Sequence, residues 1–151
     1  MDVPVNAIRR IAQRDWENGD CGLACVAMVT GRPYEEVFAQ FRNLPGKSTT
    51  KNLCTGHSHL IKILNALNFH ADKVRFKGWA NMKEIKSHAI VKVNLKSTGE
   101  WHWVVYDAGR RYRAVHDPAP GKRHVIKEFR GRGLRGSGKF LEVRSAQAAG
   151  A

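Results

Sequence analysis

Between Gln13 and Cys25 the chain reads Gln-Arg-Asp-Trp-Glu-Asn-Gly-Asp-Cys-Gly-Leu-Ala-Cys. Cys21 therefore falls just after a Gly-Asp break, in the first turn of an apolar segment that reads as a helix. A helix start carries unpaired backbone N–H groups and the positive end of the peptide dipole, and both favour a thiolate over a thiol. Gly22, with no side chain, is expected to leave the approach to the sulfur open. The Cys21 amide is expected to point where a tetrahedral oxyanion would form.

A thiolate nucleophile needs a base that holds the ion pair and later protonates the leaving amine, and that base needs an orienting partner. Of the seven histidines, His102 lies in Trp101-His-Trp-Val-Val-Tyr106. Alternation along that strand sends His102, Val104 and Tyr106 to one face, and Trp101, Trp103 and Val105 to the other. Asp117, just before Pro118, ends the next predicted strand. In an antiparallel pair joined by a short turn its carboxylate falls beside the imidazole, which makes Asp117 the candidate orienting residue.

These side chains have to be held by helices first and strands second. Val5 to Gln13, Asp20 to Thr30 and Tyr34 to Arg42 read as helical. Asp20 is placed to cap the second, Gly31 to end it, and Pro33 to start the third, where its missing N–H does no harm. Leu44 to Leu53, with Pro45 and Gly46, reads as a surface loop. Leu60, Ile63, Leu64 and Leu67 then form the apolar stripe of a fourth helix. From residue 70 the pattern turns to period two. His88 to Leu95, Trp101 to Asp107, Tyr112 to His116 and Phe140 to Val143 read as strands, and Asp107 to Arg110 as a tight turn. Such segregation predicts an α+β fold with an antiparallel sheet rather than βαβ units.

The chain has 151 residues, of which 42% are apolar and 26% charged, and four tryptophans, enough for one hydrophobic core. We expect a single domain over 1–144 and a disordered, small-residue tail over 145–151. The longest apolar run, around Cys25 to Val29, is far shorter than the roughly 20 residues a bilayer demands. The start Met-Asp-Val-Pro-Val-Asn lacks the basic-then-apolar order of a signal peptide. Three cysteines, an odd number, leave at least one thiol free and favour a reducing compartment, so the expected location is cytoplasmic.

Other motifs are weaker. Cys25, on the same helix as Cys21, reads as a core residue. Cys54, His57 and His59 have metal-ligating side chains, but they lack a second Cys-x-x-Cys pair and a fourth ligand, so no metal and no cofactor is expected. Gly46-Lys47-Ser48 ends like a phosphate loop, yet Phe41 stands where its first glycine is required. The formal charge of +13 attracts nucleic acid, anionic surfaces or acidic proteins. Arg130-Gly-Arg-Gly-Leu-Arg-Gly-Ser-Gly, with Arg130, Arg132 and Arg135, is a cationic stretch of the kind that follows a phosphate backbone without base readout.

Gln13, Asp20-Cys-Gly-Leu-Ala-Cys25, Trp101-His-Trp-Val-Val-Tyr106 and His116-Asp-Pro118 occur in an order that resembles a known family. This is the papain-superfamily group of peptidases that cleave double-glycine leaders from bacteriocins, usually as the N-terminal domain of an exporter. The resemblance spans nearly the whole chain. It implies a papain-like fold in which Cys21 attacks, His102 serves as base and acid, Asp117 fixes His102, and the Gln13 side-chain amide contributes to the oxyanion hole. Tyr34-Glu-Glu-Val37 and the segment from Thr55-Gly56 to Leu67 also fall where that family has helices. The function expected is thus a thiol peptidase working through an acyl-enzyme on a peptide or protein, after a Gly-Gly-type or similar small-residue motif. The alternative is a binding or effector module, such as a toxin, that reuses the fold to engage nucleic acid or an acidic protein.

Overall fold

Gly31 and Pro33 punctuate the N-terminal half as their chemistry demands. A computed structural model describes residues 6–110, 114–120, 125–126 and 134–146. Helix α1 spans Cys21–Thr30 and ends at Gly31, whose φ of 68° is left-handed. Pro33 sits at the N-cap of α2, Tyr34–Arg42, and α3 spans His57–Ala66. The α3 stripe of Leu60, Ile63 and Leu64, with Leu67 beyond it, is buried. Each such side chain contributes about 2 kcal/mol of transfer free energy.

Among the described residues six strands follow: β1 Phe69–Arg75, β2 His88–Val93, β3 His102–Asp107, β4 Ala114–His116, β5 Val125–Ile126 and β6 Lys139–Ser145. They form one sheet in the order β1-β6-β2-β3-β4-β5, with each neighbouring pair antiparallel. The chain has the α+β architecture the sequence predicts, with N-terminal helices on a C-terminal antiparallel sheet. Alternation divides the sheet as expected. Ile90, Trp103, Val105, Leu141 and Val143 pack with the helices, whereas Val91, Val93, Val104, Tyr106 and Phe140 join Trp79 and Met82 on the other face.

Besides the two-residue β5, which the sequence reading does not include, three features differ from it. The segment read as a helix over Val5 to Gln13 is not one: its described residues 6–13 form neither helix nor strand. Ile8 N–H donates to Asp107 Oδ2 at 2.9 Å, Gln13 N–H to Pro118 O at 2.7 Å, and Arg10 Nε to Asp117 O at 2.9 Å. These long-range acceptors replace helical ones, and a short helix with a costly nucleus loses that competition. Strand β1 was not named from sequence because it is a charged edge, bearing His70, Asp72, Lys73 and Arg75, with little apolar alternation. Finally, β6 takes in Ser145, which pairs with Phe69, and Ala146 N–H donates to Asn68 O, while 147–151 lie outside the described residues.

Candidate active site

Cys21 is the first residue of α1, and it is partly exposed, whereas Cys25 one turn later is fully buried in the core. Burial, and secondarily the neighbouring Cys21, push the Cys25 thiol well above its ordinary range. Asp20 occupies the N-cap position, but its side chain makes no cap hydrogen bond. Instead its buried carboxylate turns back into the loop before it. Oδ1 accepts from Gln13 Nε2 at 3.0 Å, and Oδ2 from Arg14 N at 2.9 Å, Asp15 N at 3.1 Å and the Tyr34 hydroxyl at 2.8 Å. The tight Trp16–Asn18 turn folds the Gln13, Arg14 and Asp15 donors over the helix start, Tyr34 adds a fourth from α2, and together they outcompete the cap.

Gly22 has a different use from the one expected. It is buried, and a Cβ there would overlap Thr55 Oγ1 and press on Leu60 Cδ2 at 3.1 Å and Trp103 Cδ1 at 3.2 Å. The missing side chain therefore lets α1 lie close against Thr55, α3 and β3, rather than clearing a path to the sulfur. Trp103 is locked there by its Nε1–H bond to Thr55 O at 2.9 Å.

His102 begins β3, and Asp117 immediately follows β4. The register pairs Val105 with His116, which carries Asp117 back alongside the start of β3. His102 Nε2–H donates to Asp117 Oδ1 at 2.7 Å, and the ring also hydrogen-bonds Cys21. Partial burial lowers the imidazole pKa, but the bonds to Asp117 and Cys21 outweigh it and raise the value to about 9. Asp117 is itself braced: its Oδ1 accepts from Ala119 N at 2.9 Å, and Arg10 holds the carbonyls of Asp117 and Ala119. All four residues singled out from sequence thus converge. Cys21 meets His102, His102 meets Asp117, and the Gln13 amide reaches the residue before Cys21.

Sequence reasoning missed a buried polar group beneath the β3–β4 turn. Asp107 Oδ2 accepts from His116 Nε2 at 2.8 Å, Arg110 Nε at 2.9 Å and Ile8 N at 2.9 Å, and Oδ1 accepts from Gly109 N at 2.9 Å. His88 accepts from Ala108 N and donates to Asn6 O at 2.8 Å. Only the adjacency of Asp107 to a turn hinted at it: Gly109, Arg110 and His116 are close in sequence, but Ile8 lies 99 residues away and its arrival closes the cluster.

The other candidates stand apart from this arrangement. His57 Nε2–H donates to Lys139 O at 2.7 Å, and His59 Nδ1 accepts from Gly56 N at 3.1 Å, so both rings are engaged at the ends of α3 and β6. No group of three His, Cys, Asp or Glu side chains suited to a metal ion exists among the described residues. Arg130 and Arg132 lie outside the described residues. Arg135 is exposed; its carbonyl accepts from Asn94 N–H at 2.8 Å, and its N–H donates to the Asn94 side-chain Oδ1 at 2.9 Å. No helix among the described residues is long and apolar enough to cross a membrane.

Helices on an antiparallel sheet, with a cysteine opening the central helix against a strand histidine, define a papain-like cysteine peptidase. A model of the Peptidase C39 family matches residues 10–130, and the chain belongs to that family. Among solved structures, a double glycine motif protease from an AMS/PCAT transporter, in complex with the leader peptide, is similar at a TM-score of 0.61 and 19% identity, over 95% of this chain and 96% of its own. The peptidase domain of Streptococcus ComA, a bi-functional ABC transporter involved in a quorum sensing pathway, gives 0.65 and 15%, over 92% and 98%. The Streptococcus mutans ComA peptidase domain gives 0.54 and 19%, over 93% and 99%. At such identities the likeness is one of fold. No curated protein matches the chain. Nucleic-acid binding finds no support in these comparisons.

Proposed function

We propose that this peptidase works through Cys21 as nucleophile, His102 as base and acid, and Asp117 as the residue that orients His102. The observation that carries this reading is the doubly bonded His102 ring, with Asp117 Oδ1 at 2.7 Å on Nε2 and Cys21 as its other side-chain partner. A ring protonated up to about pH 9 and bonded to Cys21 is placed to hold the attacking sulfur as an ion pair. The sulfur attacks the scissile carbonyl, and the oxyanion receives the Cys21 amide and the Nε2–H of Gln13 not given to Asp20. His102 then passes its proton to the leaving amine. Water, deprotonated by His102, hydrolyses the thioester and frees Cys21.

The substrate is a peptide or protein cleaved after two small residues of the Gly-Gly type. The leader-peptide complex of the double glycine motif protease supports this, since that structure matches nearly the whole chain. The machinery lies in one domain that reaches at least Ala146, and free Cys21, Cys25 and Cys54 suit a reducing, cytoplasmic setting.

Cys21→Ala and Cys25→Ala test the reading side by side. Cys21→Ala should abolish turnover of a Gly-Gly leader peptide and remove the rapid iodoacetamide labelling, while Cys25→Ala should keep both. Equal labelling of the two variants, or full turnover without Cys21, would sink it. A peptide with Leu-Leu at the cleavage point should resist cleavage. Its turnover at the Gly-Gly rate would refute the specificity.

A further inference from the structure

The Asp20 carboxylate is wholly buried, sits one residue before the nucleophile, and caps nothing. A carboxylate taken out of water at a helix start is retained where its oxygens are satisfied, and here four donors satisfy them. Three of these, Arg14 N, Asp15 N and the Tyr34 hydroxyl, fall on Oδ2 and fix the carboxylate in place. The fourth, Gln13 Nε2, falls on Oδ1. An ionised carboxylate only accepts, so it dictates which end of the Gln13 amide turns inward: the NH2 group must face Asp20, and the Oε1 atom must face away. A planar amide held by one N–H has its second N–H fixed in direction too.

We infer that Asp20 is a positioning residue, which orients the Gln13 amide so that its second N–H is delivered to the oxyanion. This rests on the proposed role of Gln13. The backbone supports the same assignment, because the Gln13 N–H is anchored to Pro118 O at 2.7 Å, which fixes the point from which the side chain reaches Asp20. Without Asp20 the amide is free to flip, and its carbonyl oxygen would then repel a developing oxyanion. The energetic consequence falls on the transition state, where the charge develops, and little on ground-state binding.

A double-mutant cycle on the full chain tests this. Asp20→Asn and Gln13→Ala should each lower kcat with KM little changed, the latter by about 100-fold or less and the former by about tenfold. Together they should cost no more than Gln13→Ala alone. A peptide aldehyde, whose hemithioacetal oxygen occupies the oxyanion position, should lose affinity in parallel. The pH profile of iodoacetamide alkylation should be unchanged by Asp20→Asn. Losses that multiply in the double variant, or a shifted alkylation profile, would overturn the positioning role. If Gln13→Ala keeps full kcat, the oxyanion role of Gln13 itself falls, and the inference with it. Should Asp20→Asn fold poorly, Tyr34→Phe removes one brace of the same carboxylate. A several-fold kcat loss is expected, present with Gln13 and absent in the Gln13→Ala background; the same loss in both backgrounds would count against the inference.

Discussion

Gln13 N–H donates to Pro118 O at 2.7 Å, which ties the segment leading into Cys21 to the segment that follows Asp117. Residues far apart in sequence are thereby held in one frame, and displacing either segment should move both sides of the site.

Asp117→Asn should lower kcat by roughly tenfold or more, because His102 loses its orienting acceptor. It should also move the alkaline limb of the kcat/KM profile below that of the wild type, since Asp117 is among the groups that raise the His102 value. A peptide-cleavage assay from pH 6 to 10 reads both effects. An unmoved limb would exclude the Asp117–His102 bond as its source.

The imidazole titrates at about 9 in the fold against an ordinary 6.5, so proton loss above pH 9 should reduce activity. A raised folded-state value also makes a stability contribution that is complete below about pH 6.5 and is lost as pH rises through 9. Urea unfolding between pH 6 and 10 should show this slope in the wild type and a flatter one in His102→Gln.

Asp107 behaves in the opposite sense. Burial raises its carboxyl pKa, but hydrogen bonds from His116, Ile8 N, Gly109 N and Arg110 prevail and hold it at about 2 instead of 3.8. Its contribution to stability is present above 3.8 and disappears as pH falls through 2. Asp107→Ala should cost about 3 kcal/mol at neutral pH, by orphaning His116 and releasing Ile8 N–H. Denaturant titrations at pH 7 and along the acid limb check the magnitude and the direction.

Gly22→Ala should destabilise by about 2 kcal/mol, because the new methyl group overlaps Thr55 Oγ1. That hydroxyl is buried and has no hydrogen-bond partner among the described residues. Thr55→Ala alone is therefore expected to be nearly neutral, and in the double variant it should recover part of the loss. Additive melting shifts would show that the contact is not the cause.

The four candidate residues that the fold brings together could be picked out because each sits at a local signal: Cys21 at a helix start, His102 in an alternating strand, Asp117 before a proline, and Gln13 in the motif order. Helices α1, α2 and α3, the β2 and β3 strands and the division of the sheet's faces were legible for the same reason, since periodicity and punctuation are properties of a few neighbouring residues. Tertiary structure alone decided the rest. It kept residues 6–13 out of a helix, since they bond to acceptors on Asp107, Asp117, Pro118 and Ala119 about a hundred residues away. It placed β6 between β1 and β2 and gave Gly22 a packing role against α3 and β3. It turned Asp20 from the expected cap into an acceptor for Gln13. Short-range pattern fixes which residues share an element and a face, whereas a buried polar group takes whichever partner the folded chain brings within reach.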